Sequence, residues 1–149
     1  NQNRAVIIKT FEQLNKAELY EIIQLRIAVF IIEQDCPYQD LDGLDDQGLH
    51  MWIEEDGEMV SYLRINPAGT RFSEASLGRI VTKMTYRKKG LGEILINKAI
   101  KEVCKAEPTA IRISAQSYLE NYYKKFGFIK CSEEYLEDNI PHIEMLRDA

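Results

Sequence analysis

The period of the apolar residues changes along this chain, and each change marks an element. Residues 5–11 read as a first strand. Asn15, with Glu18 three residues on, makes a capping-box start, and Leu19, Ile22, Ile23, Ile27 and Phe30 then recur at helical spacing. Residues 31–48 lose all period. They are acidic, carry Pro37, Gly43 and Gly48, and predict an irregular loop. Residues 50–65 form strand-like runs on either side of Asp56-Gly57, a favoured two-residue hairpin turn. A loop over 66–76 leads into residues 77–82, a short apolar run rich in β-branched side chains that reads as a buried strand.

Helical spacing returns with Leu95, Ile96, Ala99, Ile100 and Val103. Residues 110–116 alternate as a strand, and 117–128 contain a short helix. Residues 130–137 and 140–146 flank Asp138-Asn139 and predict a last pair of strands. The order β, α, long loop, β, β, β, α, β, α, β, β fits an α/β (α+β) sandwich. Its sheet would be mixed but mostly antiparallel, with helices on both faces.

A length of 149 residues suits one domain, taken here as 1–149. The net charge of −5 argues against a nucleic-acid partner. No run is long enough for a membrane span, and the first residues lack a signal-peptide pattern. Cys36, Cys104 and Cys131 form neither a disulfide framework nor a metal-type pair, so a reducing cytoplasm is expected. With only two histidines and scattered carboxylates, no metal is expected.

Positive charge is concentrated where strand 77–82 turns into the next helix, at Arg87, Lys88, Lys89, Gly90, Leu91 and Gly92. A helix start presents unpaired N–H groups and partial positive charge. Glycines let an anion approach the backbone closely. The turn lacks the Gly-Lys-Ser/Thr of a nucleotide P-loop and does not match G-x-G-x-x-G. It suits a small anionic ligand.

The turn, the following strand and Tyr123-Lys124-Lys125-Phe126-Gly127-Phe128 together resemble the GNAT N-acetyltransferase superfamily. That resemblance rests on R-x-x-G-x-G entering a helix and Y-x-x-x-G-F following at the family's distance. A narrower resemblance, to the ElaA-like branch, rests on Leu25, Arg26, Val29, Phe30, Glu33, Gln34, Cys36, Pro37, Tyr38, Asp40 and Asp42, and on residues 140–143.

The resemblance implies acetyl-CoA as cofactor, with the backbone of residues 87–92 on the pyrophosphate. It further implies that Ile80, Val81, Thr82 and Lys83 lie on a strand that splays and pairs with the pantetheine arm. Many relatives have Pro where Met84 stands, and Asn where Gln116 stands; Gln116 would reach the cofactor with a longer amide. Tyr123 matches the family's tyrosine near the leaving sulfur. A phenol's reference pKa of ~10 lies above a thiol's ~8.5, so hydrogen bonding to the thiolate suits it better than full proton donation. Tyr122, one position away, is expected to face elsewhere.

The implied reaction is direct acetyl transfer to an amine: a small molecule, a lysine or a peptide N-terminus. Arg26, Phe30, Glu33, Gln34, Tyr38, Asp40, Asp42 and His142 are the candidate acceptor-site residues. An acidic mouth would attract a cationic amine. Glu33 is either a base or the partner of Arg26 in a buried ion pair, and His142, with a reference pKa of ~6.5, is the other candidate base. Asp45 and Asp46 read as solvated loop. His50 and Cys36 carry less weight, since no motif sets a histidine beside Cys36. Two other functions compete: an acyl-CoA sensor without turnover, and a long-chain acyl transfer like that of acyl-homoserine-lactone synthases, which share L-R-x-x-V-F. The chain could be a monomer or a homodimer.

Overall fold

A computed structural model describes residues 3–149. Eight strands make one sheet in the order β1-β2-β3-β4-β5-β8-β6, with β7 also on β8. They are β1 (Arg4–Thr10), β2 (Leu49–Glu55), β3 (Glu58–Asn66), β4 (Ala75–Thr82), β5 (Ile111–Gln116), β6 (Ile129–Lys130), β7 (Tyr135–Glu137) and β8 (Ile140–Arg147). Only β4 and β5 run parallel. The helices are α1 (Lys16–Arg26), α2 (Leu91–Cys104) and α3 (Glu120–Lys124).

Helices cover both faces, as the pattern predicts. Leu95, Ile96 and Ala99 of α2 pack with Met51, Ile53 and Leu63 on one face. Ile22 and Leu25 of α1 pack with Trp52, Met59 and Tyr62 on the other. The neighbouring residues Met51, Trp52 and Ile53 divide between the two faces because side chains alternate along a strand. Asn15 caps α1 as expected: its Oδ1 accepts from Glu18 N at 2.7 Å, and Glu18 Oε1 accepts from Asn15 N at 3.0 Å. Asp56 and Gly57 both have positive φ, 53° and 81°, as a tight hairpin turn requires.

Two boundaries differ from the sequence reading. Beyond Arg26 the helix widens into a π-helical segment, Ile27–Glu33, in which Gln34 N donates to Val29 O. The buried positions Ile22, Leu25, Arg26 and Val29 run at regular helical spacing, and Ile27 is left 38% exposed. The strand expected over 130–137 is broken in two. Lys130 faces Met145 and Tyr135 faces His142, so five steps on one side oppose three on the other. Ser132 takes up the slack by accepting the Glu144 N–H through its hydroxyl at 2.8 Å.

The long loop is held by buried ion pairs. Arg26, 1% exposed, donates Nε to Asp40 at 2.8 Å and Nη1 to Asp45 at 2.6 Å. Arg64, also 1% exposed, donates to Asp42 and Asp45 at 2.7–2.9 Å. Burial opposes the Asp42 and Asp45 charges, but Arg64 and Arg26 prevail and hold both carboxyls below their ordinary range. Asp45 is therefore a structural ion-pair residue and not part of a solvated loop.

Such depressed carboxylates stabilise the fold above their unfolded pKa of ~4 and lose that contribution as the pH falls toward their folded values. Denaturant midpoints should therefore drop steeply as the pH falls below about 4, and less steeply in Asp42→Asn. Arg26→Ala, which removes one of the two arginines from each of Asp40 and Asp45, should cost about 3–5 kcal/mol at neutral pH. A loss below about 1 kcal/mol in urea titration would show that the pairs do not hold the loop.

Candidate functional site

The sheet parts between β4 and β5. β4 pairs with β5 only through Ala75↔Ile111 and Ser76↔Arg112. Past these residues the two strands separate, and a cleft of about 450 Å³ opens between them. The local cause lies on the other edge of β4. Tyr62 faces Val81 and Arg64 faces Gly78, so one residue on β3 opposes two on β4. Arg79 sits in this bulge with φ of 52°, a left-handed conformation costly for a side chain with a Cβ. Its guanidinium lies 2.9 Å from Asp40 Oδ1 and donates Nη2 to the Asp40 carbonyl at 2.9 Å, which fastens the bulge to the long loop.

At one end of the cleft stands Arg87, followed by the glycine turn. Gly90 is the N-cap of α2, at φ 75°, and no side chain caps the helix. A Cβ on Gly92 would come within 3.2 Å of Tyr122 Oη, close enough that the tyrosine hydroxyl would have to give way. Lys88, Lys89, Gly90, Leu91 and Gly92 lie beyond the cleft's lining, with Lys89 Nζ over the Tyr86 ring. Lys83 points away and pairs with Glu58. Ile80, Val81, Thr82 and Gln116 line the cleft's walls.

Tyr123 lines the cleft from α3 and is 8% exposed. Burial pushes its phenol well above the ordinary value, so it is a hydrogen-bond donor at neutral pH. Tyr122 lines the cleft too, contrary to the expectation that it faces elsewhere. The two rings meet edge to face 5.2 Å apart, so this short helix presents both to the opening.

Phe30, Glu33, Gln34 and Tyr38 from the π segment and long loop, and His142 from β8, also line the cleft. Arg26, Asp40 and Asp42 do not line the cleft. They stand behind its wall as structural ion pairs, which corrects their expected acceptor contact. The mouth is consequently less acidic than the composition suggests. Glu33 is not the partner of Arg26. Arg87 grips it with both Nη atoms, at 2.5 and 2.7 Å, and hydrogen bonding from Arg87 lowers its pKa.

His142 is 7% exposed, and its Nδ1 lies 2.6 Å from Ile140 O. A carbonyl only accepts, so Nδ1 must carry the proton and a neutral ring has its lone pair on Nε2. His50, by contrast, is buried with both nitrogens bonded, to Tyr62 Oη and Asp45 O. Sequence reasoning missed Arg79, Ser114, Tyr118, Glu137 and Asp138, which also line the cleft. Glu137 and Asp138 were detectable, being the turn just before Ile140-Pro141-His142. Nothing in the sequence marks the left-handed backbone of Arg79.

Comparison with known families matches residues 10–148 to the family described as Acetyltransferase (GNAT) domain. The chain belongs to the GNAT acetyltransferase family. It is 37% identical over 140 residues to protein ElaA of Escherichia coli (strain K12), covering 92% of each chain. The crystal structure of an acyl-CoA N-acyltransferase from Pseudomonas aeruginosa superposes with a TM-score of 0.92 at 37% identity, covering 97% of this chain and 99% of that one. The crystal structure of Escherichia coli ElaA gives 0.90 at 33% identity, with the same coverage. The fold and the ElaA-like resemblance read from the motifs are thus both found. Among the described residues, no helix is long and apolar enough to cross a membrane.

The Glu33–Arg87 pair ties the π segment to the glycine turn across the cleft. Side-chain carboxyl titration by NMR should find Glu33 ionising at lower pH than the exposed glutamates. In Arg87→Gln its titration should move upward; an unchanged curve would mean that the pair does not form in solution.

Proposed function

We propose that this chain transfers an acetyl group from acetyl-CoA directly to an amine of a small molecule or peptide. The observation that carries this reading is the parting of β4 from β5 past Ser76. Among the described residues no strand pairs with that edge of β4, so its backbone polar groups can take an extended amide-bearing arm as a substitute strand. The cleft ends at Arg87 and at a helix start without a side-chain cap, a fit for a pyrophosphate. Acetyl-CoA would supply the acyl group as a thioester.

The chain's own residues then have separate tasks. The amides of Arg87 to Gly92 hold the anionic end. Ile80, Val81 and Thr82 align the arm, and Gln116 faces it from β5. A backbone N–H of β4 polarises the carbonyl. His142 accepts the amine proton at Nε2, the amine nitrogen bonds to the acyl carbon, and the carbon–sulfur bond breaks. Tyr123 hydrogen-bonds the departing thiolate. Phe30, Gln34 and Tyr38 form the acceptor's wall. Glu33, engaged by Arg87, suits the task of orienting that guanidinium better than that of a base. The three cysteines, all free, fit a reducing cytoplasm.

Release of CoA thiol from acetyl-CoA should depend on an added amine, tested over polyamines, aminoglycosides and lysine peptides. Tyr123→Phe should lower kcat by roughly ten- to hundredfold, the worth of one hydrogen bond to a charged group. Acetyl-CoA should also raise the melting temperature by mass action. Stabilisation without release for any amine would make the protein an acyl-CoA sensor instead. Faster release from long-chain acyl-CoA than from acetyl-CoA would make it a long-chain acyltransferase.

A further inference from the structure

Beside His142 lies a carboxylate with one oxygen engaged and one free. Glu137 Oε1 accepts from Ser114 Oγ and from Arg71 Nη2, each at 3.1 Å. Among the described residues Oε2 makes no hydrogen bond, and His142 Nε2 stands 3.7 Å from it. The Ser114 hydroxyl is itself bonded to Tyr135 Oη at 2.5 Å, and the Tyr135 ring stacks on the His142 ring with centroids 6.1 Å apart. Glu137 and Tyr135 from β7 stand against the imidazole, Gln116 lies opposite His142 in the pairing of β5 with β8, and Ser114 joins Tyr135 to Glu137.

Because Nδ1 donates to Ile140 O, a neutral His142 offers only a lone pair at Nε2. Two acceptors thus converge at the cleft with no donor between them. A nitrogen on the cleft side can sit about 2.9 Å from both. It must carry at least two N–H bonds and would best carry positive charge.

We infer that Glu137 and His142 form a binding slot for the protonated amine of the acceptor, which selects primary ammonium groups over uncharged acceptors. This rests on the reading of His142 as proton acceptor. The ammonium, R–NH3+, donates one hydrogen bond to Glu137 Oε2 and one to His142 Nε2. Transfer of the second proton to Nε2 leaves R–NH2, whose lone pair attacks the thioester carbonyl; as the carbon–sulfur bond breaks, the surplus proton on the nitrogen passes to the departing thiolate, giving the amide and the free thiol. The imidazolium so formed pairs with Glu137 and later returns its proton to water. Glu137 stays a carboxylate throughout and stabilises both charged partners in turn. A proton taken from solvent would fill the same slot, since imidazolium donates to Glu137 itself, so acidity and ammonium compete.

The test is binding of n-butylammonium, with 1-butanol as the uncharged isostere, to the full chain. It is read from the histidine side-chain resonances at a pH where His142 is seen to be neutral. Butylammonium should perturb His142 and leave the enclosed His50 unmoved, while 1-butanol perturbs neither. Glu137→Gln, which keeps an acceptor for Ser114, should weaken binding roughly tenfold or more. Arg71→Gln, which breaks the same surface ion pair but leaves Oε2 in place, should bind within about twofold of the wild type. Lowering the pH until His142 is protonated should weaken binding in the wild type.

The slot is overturned if butylammonium leaves His142 unperturbed at concentrations on the order of 100 mM. An equal response to butanol, or equal losses in the two variants, would overturn it as well. Because no turnover is involved, failure of acetyl transfer and failure of the slot are read apart.

Discussion

The cleft depends on three arginines that pull an acidic loop against the sheet. Arg26 comes from α1, Arg64 from β3 and Arg79 from β4, and they meet Asp40, Asp42 and Asp45 of one loop. Two of these guanidiniums are almost wholly enclosed, which would be prohibitive for unpaired charges. Each aspartate is shared between two arginines, so no single contact can be given up without exposing another buried charge. The same network supports the left-handed backbone at Arg79. That bulge diverts β4 from β5, and the parting of those strands is the cleft. An anchoring network, one of whose arginines lines the cleft itself, thus determines that a binding space exists.

Charged side chains of both signs line the cleft. Arg87 stands before a helix start that no side chain caps. Glu137 stands beside His142, and Arg79 lies over the Tyr38 ring with its guanidinium on Asp40. Glu33 is neutralised by Arg87. Tyr123, held protonated by its burial, faces the middle of the space.

Much of the fold was legible because its determinants are local. The Asn15–Glu18 capping box, the Asp56-Gly57 hairpin and the apolar stripe of α2 each act within a few residues. The glycine turn before α2 and the Tyr123–Phe128 segment were legible for the same reason. The π widening after Arg26 was not, because the apolar spacing of residues 27–30 also fits an α-helix.

The sequence alone determined the order of elements, the two-faced sheet and the family, all of which follow from short-range periodicity and motif spacing. Tertiary structure decided the partners of the charges. Arg26 and Glu33 could pair on paper, but Arg26 reaches residues 14 and 19 positions on, and Glu33 reaches Arg87, 54 positions away. Asp40 and Asp42 were read as acceptor contacts and stand behind the wall, while Glu137, absent from the sequence reading, faces His142. A charge finds its partner by distance in the folded chain, and composition carries no information about that distance.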